Sequence, residues 1–287
     1  MIGRAHKPRI VRLAAFSSFL LCHLAIAEVQ VESAPGSGLD AAELVARVRE
    51  SIAQAPASVS AINARVTVGR TALENAIAAN DSRPIIAAYV TSSEYEAALA
   101  GSERVRITAV FSNPDPRDQA ALARALLGGS SLAAFDTAAS HHLIQMLGPS
   151  AHAIPASGEQ NIDSLLRAAD SFGAIIALPD PTLLNRTNIN HVVRTLYERR
   201  KVLIGYSATL TRVGALASIY VSPEATARSV VAILSGYAAS ETLPLPVFVN
   251  DVDVAVNERL ARSLNIAIPE RTQLLDAIRS RRNEGAP

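Results

Sequence analysis

The chain has 287 residues, with 27 Lys and Arg against 26 Asp and Glu, a single cysteine and no tryptophan. That near-neutral balance excludes the basic surface that phosphate binding needs, and with it a nucleic-acid partner. One cysteine excludes an internal disulfide and a thiolate metal cage.

The elements begin with a targeting segment. Arg4, Lys7, Arg9 and Arg12 precede an apolar run from Leu13 to Leu24, and Ala25-Ile26-Ala27 offers a small-x-small cleavage site before Glu28. This order is that of an export signal, residues 1–27, and predicts a periplasmic chain that starts at Glu28. The apolar run is shorter than the ~20 residues of a membrane-spanning helix. Leu21 before Cys22 argues against lipid attachment. Residues 1–27 hold four bases and no acid, so the remainder carries 23 bases, 26 acids and no cysteine. A disulfide-linked partner is thereby excluded.

Residues 28–39, rich in Ser, Gly and Pro, read as a flexible leader. Asp40 with Glu43 has the form of a capping box, and Leu44, Val45, Val48 and Ile52 recur at helical spacing. From Arg65 onward, strands at 65–68, 84–90 and 105–111 alternate with helices at 71–79 and 93–100. Ser112-Asn113-Pro114-Asp115-Pro116 interrupts this rhythm, and its two prolines suit a stiff crossing between lobes. The pattern resumes with helix 117–127, strand 131–135, helix 137–147, strand 151–154 and helix 161–169. Strand 173–178, helix 187–199 and strand 202–205 follow, then strand 216–221, helix 223–234, strand 246–249 and helices 251–264 and 270–281. Such alternation predicts an α/β protein with parallel sheets.

Several stretches stand in a telling order: Arg106-Ile-Thr-Ala-Val-Phe111, Ala177-Leu-Pro-Asp-Pro181, Ile204-Gly-Tyr-Ser207, Gly214-Ala-Leu-Ala217, Val249-Asn-Asp-Val252, and Ala261-Arg-Ser-Leu-Asn-Ile266 with Pro269. In that order the chain resembles the ABC-transporter substrate-binding proteins of the tryptophan/tyrosine type, periplasmic binding proteins of the first structural class, over about Val66 to Glu270. The resemblance implies two Rossmann-like lobes around a ligand cleft, joined by crossovers near 112–116, 207–214 and 241–247. Residues 40–112 with about 214–241 would form the amino-terminal lobe, and 113–213 with about 246–287 the carboxy-terminal lobe. It further implies a monomeric solute-binding protein for an ABC permease, without cofactor, metal or enzymatic activity. The alternative is a ligand-sensing module for a sensor kinase or another envelope protein. The family opens with a clear strand and helix, whereas residues 28–64 offer at best Val29 to Val31 and one helix, which predicts a reduced amino-terminal lobe.

Ligands of open α/β sheets sit beyond the carboxyl ends of the strands. Thr91, Ser92 and Ser93 follow a strand and open a helix whose N–H groups can hold a carboxylate or whose hydroxyls simply cap it. Asp180, stiffened between Pro179 and Pro181, can meet a ligand amine or cap its turn. Tyr206 and Ser207 end another strand, and Arg212 offers a bidentate carboxylate clamp. A set of this kind bridges a ligand with both an amine and a carboxylate. The lack of tryptophan favours an amino-acid-like or organic-acid ligand over a glycan.

Gly205-Tyr-Ser207-Ala-Thr209 resembles a nucleophile elbow, but its last glycine is missing. All six histidines precede Ser207, the reverse of the hydrolase order. His141 and His142 are adjacent and diverge on a helix, so they do not chelate one metal. Val66-Thr-Val-Gly69 has one glycine where a dinucleotide fingerprint needs three.

Overall fold

The computed structural model describes residues 28–101, 106–156, 162–185 and 187–284; the expected export signal lies outside them. The chain first builds β1 (Gln30–Ser33), α1 (Gly38–Ala53), α2 (Ala57–Ser60), β2 (Arg65–Val68), α3 (Arg70–Ala78), β3 (Ile85–Val90), α4 (Ser92–Leu99) and β4 (Ile107–Phe111). It continues through α5 (Pro116–Leu127), β5 (Leu132–Asp136), α6 (His141–Leu147), β6 (His152–Pro155), α7 (Ile162–Ala168), β7 (Ala174–Ile176), α8 (Ile189–Glu198), β8 (Val202–Gly205), α9 (Ala208–Val213) and β9 (Ala217–Tyr220). Last come α10 (Pro223–Ser240), β10 (Val247–Phe248), β11 (Asp253–Val256), α11 (Glu258–Ser263) and α12 (Arg271–Glu284).

These strands make two sheets. The first has the order β1-β2-β3-β4-β10 and is parallel throughout; the second has the order β11-β9-β8-β7-β5-β6, with only β11 antiparallel. Parallel strands covered on both faces need unbroken apolar runs, which Ile85–Ala88 and Val202–Ile204 supply. Helices α1 and α10 pack on one face of the first sheet through Leu44, Val48, Val230 and Leu234, and α3 and α4 cover the other through Leu73 and Tyr95. The second sheet is likewise covered on both faces, by α5 and α12 on one and by α7 and α8 on the other.

Three expectations are corrected. Residues 30–33 of the supposed leader form the edge strand β1: Val31 is buried, and Arg65 of β2 reaches Glu32 with its Nε at 2.7 Å. Its partner α1 spans 16 residues, so the amino-terminal lobe keeps an opening strand and helix and is not reduced in the expected way. Asp40 does not cap α1 either, because the helix starts at Gly38 with Ser37 as its N-cap. Finally, Asp253–Val256 is a strand instead of helix; Val252, Val254 and Val256 alternate with period two, a β signal that a helical reading overlooks.

The chain passes between the sheets three times. The first passage, 112–115, lies where the prolines predicted it. The second is at 221–222, between β9 and α10, not at 207–214, because α9 stays against β8 and β9 of the second sheet. The third is at 249–252, because β10 still pairs with β4. Ser222 makes the second passage abrupt: its hydroxyl accepts the Ala225 N–H at 3.1 Å, and Pro223 occupies the first helical position.

A charge cluster binds the first and third passages together. Asp118 of α5 is fully buried and pairs with both Arg281 and Arg282 of α12. Arg282 also donates to the Asn250 carbonyl in the third passage. Asp115 caps α5 by accepting the Arg117 N–H at 2.8 Å, and Arg281 lies 3.7 Å from it. Removing one partner of a buried pair costs about 3–5 kcal/mol. Arg281 and Arg282 keep 21% and 19% of their side-chain surface in water, so Asp118→Ala is expected to cost near the lower bound, about 3 kcal/mol. Urea denaturation measures this; an unchanged midpoint would show that α12 does not brace the passages.

Candidate functional site

The carboxyl ends of both sheets face a cavity of about 300 Å³. Asp40 and Glu43 of α1 line one wall with Tyr89 of β3; Ser112 and Val221 contribute from two passages; Tyr206, Ser207 and Tyr220 line the opposite wall. Both sheets therefore build the site.

Tyr89 reaches the cavity through a distortion. The β3–β4 register slips between Ala88 and Val90, and Tyr89 takes φ 57°. For a bulky aromatic this is a true outlier, with a strain on the order of 1–3 kcal/mol. The bulge turns the ring outward: Ala88 and Val90 are buried while Tyr89 is 40% exposed. Its hydroxyl donates to Asp40 Oδ2 at 3.3 Å. Burial, then the negative charge of Asp40, raises its pKa.

Tyr206 is placed by Gly205. A Cβ at 205 would strike Ser218 and lie 2.8 Å from Leu210 Cβ, so glycine lets α9 close over the end of β8. The buried Gln119 amide braces the same strand ends, donating to the Ala177 carbonyl at 2.8 Å and to that of Ile204 at 3.4 Å. Burial, helped by the charges of Glu94 and Asp180, pushes the Tyr206 phenol up to about 12. Tyr220 donates from its hydroxyl to Asp253 Oδ2 at 3.1 Å, and Arg271 grips that carboxylate at 2.9 and 2.6 Å.

The structure divides the residues singled out from the sequence. Tyr206 and Ser207 line the cavity, although the Ser207 hydroxyl also caps α9 by accepting the Leu210 N–H at 3.4 Å. No histidine is among the described residues that line it. Thr91, Ser92, Ser93 and Asp180 lie outside the lining, and protein groups engage them. Thr91 forms a capping box with Glu94. The Ser92 N–H donates to Asn113 Oδ1 at 2.8 Å, and Ser93 donates across the lobes to the Pro179 carbonyl at 3.0 Å. Asp180 is buried and accepts from the Thr182 N–H at 2.7 Å, the Thr182 hydroxyl at 2.6 Å and the Thr137 hydroxyl. Those bonds fit the turn-capping alternative. Arg212 donates to Thr209 Oγ1 at 2.7 Å and does not line the cavity. Asp40, Glu43, Tyr89 and Tyr220 were missed; only the polar period of α1 could have flagged the first two.

The histidine pair separates as expected. His141 bonds Asp136 at 3.0 Å, whereas His142 of α6 lies 3.3 Å from Glu96 of α4, across the lobes. Burial lowers the His142 pKa. Among the described residues no group of three or more His, Cys, Asp and Glu is placed to hold a metal, and no helix is long and apolar enough to cross a membrane.

Comparison with solved structures identifies the architecture. An ABC domain from Streptococcus pneumoniae in complex with L-Trp superposes with a TM-score of 0.57 at 17% identity, covering 88% of this chain and 98% of that one. The ligand-free, open form of a substrate binding protein with adhesive properties from Clostridium difficile gives 0.62 at 12% identity, over 85% and 97%. The fold is type I periplasmic binding protein-like, α/β with two largely parallel sheets. A conserved domain protein from Vibrio cholerae matches at 0.56, with 17% identity, over 88% and 98%. No protein-family model matches the chain, and no curated protein does.

Two outcomes follow from this geometry. Asp180→Ala removes a carboxylate that accepts three local bonds, so it is expected to cost about 1.5–3 kcal/mol of stability and to leave ligand affinity unchanged; denaturation beside calorimetry separates the two effects. Tyr206 is held as the neutral phenol, so its stabilising contribution is complete below the unfolded value of 10.0 and is lost as pH rises toward about 12. Tyr206→Phe should flatten the alkaline fall in stability across that window, and an unaltered profile would refute the assigned burial.

Proposed function

We propose that this chain is a periplasmic solute-binding protein that captures one small molecule between its lobes and delivers it to an ABC importer. The observation that supports this most strongly is the joint construction of the cavity. Its walls come from the strand ends of both sheets and from two of the three passages between them, so a bound molecule contacts both lobes and part of the hinge about which they would rotate. Capture of this kind needs hydrogen-bond groups, ring faces and a hinge but no nucleophile. The Ser207 hydroxyl, spent on its helix cap and without a histidine beside it, is not such a nucleophile.

A volume of about 300 Å³ lies at the lower end of the ~300–1,000 Å³ usual for small-molecule sites. It suits an amino-acid-sized solute more than an oligosaccharide, and the resemblance to the tryptophan/tyrosine-type receptors puts aromatic amino acids and their relatives first in a screen. The test is a thermal-shift series on the chain from Glu28 with amino acids, amines, organic acids and monosaccharides. A ligand at a hundred times its Kd stabilises by about 2.7 kcal/mol, a rise of roughly 5–10 °C for a protein of this size. If compounds of every class leave the melting temperature unmoved at millimolar concentration, the proposal fails.

A further inference from the structure

Building on that solute-binding reading, we infer that the solute is a compact organic cation, an amine or quaternary ammonium on a small apolar body, and carries no carboxylate. The charges around the cavity point that way. Its lining holds Asp40 and Glu43 and, among the described residues, no Lys, Arg or His. Among the described residues neither carboxylate forms an ion pair, and Asp40 accepts from the Tyr89 hydroxyl. Outside the lining, Arg47 pairs with Glu50 and Glu224 and Arg70 with Glu74 at 2.7 Å, while Arg212 donates to the lining hydroxyl of Thr209 without being part of the lining itself.

Closure sharpens this bias. In the open cleft water screens Asp40 and Glu43, which are both exposed. When the lobes close on a solute, the same carboxylates leave water and need a counter-charge. A cation supplies it, whereas an anion adds like charge in a medium of lower dielectric. The usual seat for a carboxylate, the amino terminus of α4, is already taken by a protein carboxylate: Glu94 accepts the Thr91 N–H at 2.8 Å, and Asn113 accepts that of Ser92. A ligand carboxylate would have to displace both.

Three tyrosines complete the set. The hydroxyls of Tyr89 and Tyr220 donate to Asp40 and Asp253, so what these side chains offer a solute is chiefly the ring face. Aromatic faces together with carboxylates are the recognition chemistry of ammonium and alkylammonium groups. The bulge that strains Tyr89 is what delivers one of those faces.

Four probes with one aromatic body test the sign of the charge: phenethylamine, its trimethylammonium analogue, phenylalanine and 3-phenylpropionate, titrated by calorimetry into the chain from Glu28. The cations are expected to bind about ten-fold or more tighter than phenylalanine, with 3-phenylpropionate weakest. Asp40→Asn should weaken the cations by a similar factor without lowering the melting temperature of the free protein, since Asp40 is exposed. Equal or tighter binding of phenylalanine or 3-phenylpropionate overturns the inference, and so does cation affinity that survives Asp40→Asn combined with Glu43→Gln. Should none of the four bind, the wider thermal-shift series decides. A hit among amines upholds the inference, and a hit among acids, zwitterions or sugars overturns it while leaving the solute-binding reading intact. No hit at all removes both.

Discussion

Asp118 has no exposed surface, and a carboxylate so placed is tolerable only while its two guanidinium partners stay in reach. Both partners come from the last helix, so the end of the chain fixes α5. Helix α5 in turn fixes the passage before it, because Asp115 is its cap. Two residues earlier, Asn113 holds the Ser92 N–H and so sets the start of α4 and, just before it, the bulged Tyr89. A short, continuous path of polar contacts therefore runs from the carboxy terminus to one wall of the cleft.

The two edges of that cleft differ in kind. On the α4 side the lobes touch directly, through Ser93 with Pro179 and Glu96 with His142. The first is a neutral hydrogen bond, which contributes only about 0.5–1.5 kcal/mol net, and the second is weakened because burial disfavours the charged imidazole. On the α1 side the lobes stand apart around the cavity. Contacts of this kind are individually weak yet set one register between the lobes, a combination that suits the proposed capture of a solute by lobe rotation.

Much of the fold was legible because its signals are local. The alternation of apolar runs with amphipathic helices, and the proline pair at 114 and 116, located most strands and the first passage. Strand β1 was obscured because four residues beside a Ser-, Gly- and Pro-rich stretch give too short a pattern, and its pairing depends on β2, more than thirty residues away. The second and third passages were displaced because nothing local tells a helix that stays on its sheet from one that leaves it; that choice is tertiary. At the site, Tyr206 and Ser207 were legible as a strand's carboxyl end. Asp180 was found at its strand's end, but the bond it accepts from Thr137, 43 residues away, is tertiary and left no local signal. Tyr89 was invisible, since a positive φ in a β-like sequence arises only when neighbouring strands force a bulge.

Each sheet is assembled from separated stretches of chain. The first sheet awaits β10 and the second awaits β11, while α12, which packs on α5 and β11 of the second lobe, is the last element described. Neither lobe can then be excised as one uninterrupted fragment, and a ribosome must release the chain beyond β10 and β11 before the two sheets are complete. Through Arg281 and Arg282 the last described turns of α12 lie beside the first and third passages and not at a remote corner. A dye placed on that part of α12 would report on any rearrangement of these passages with no mutation in the cleft.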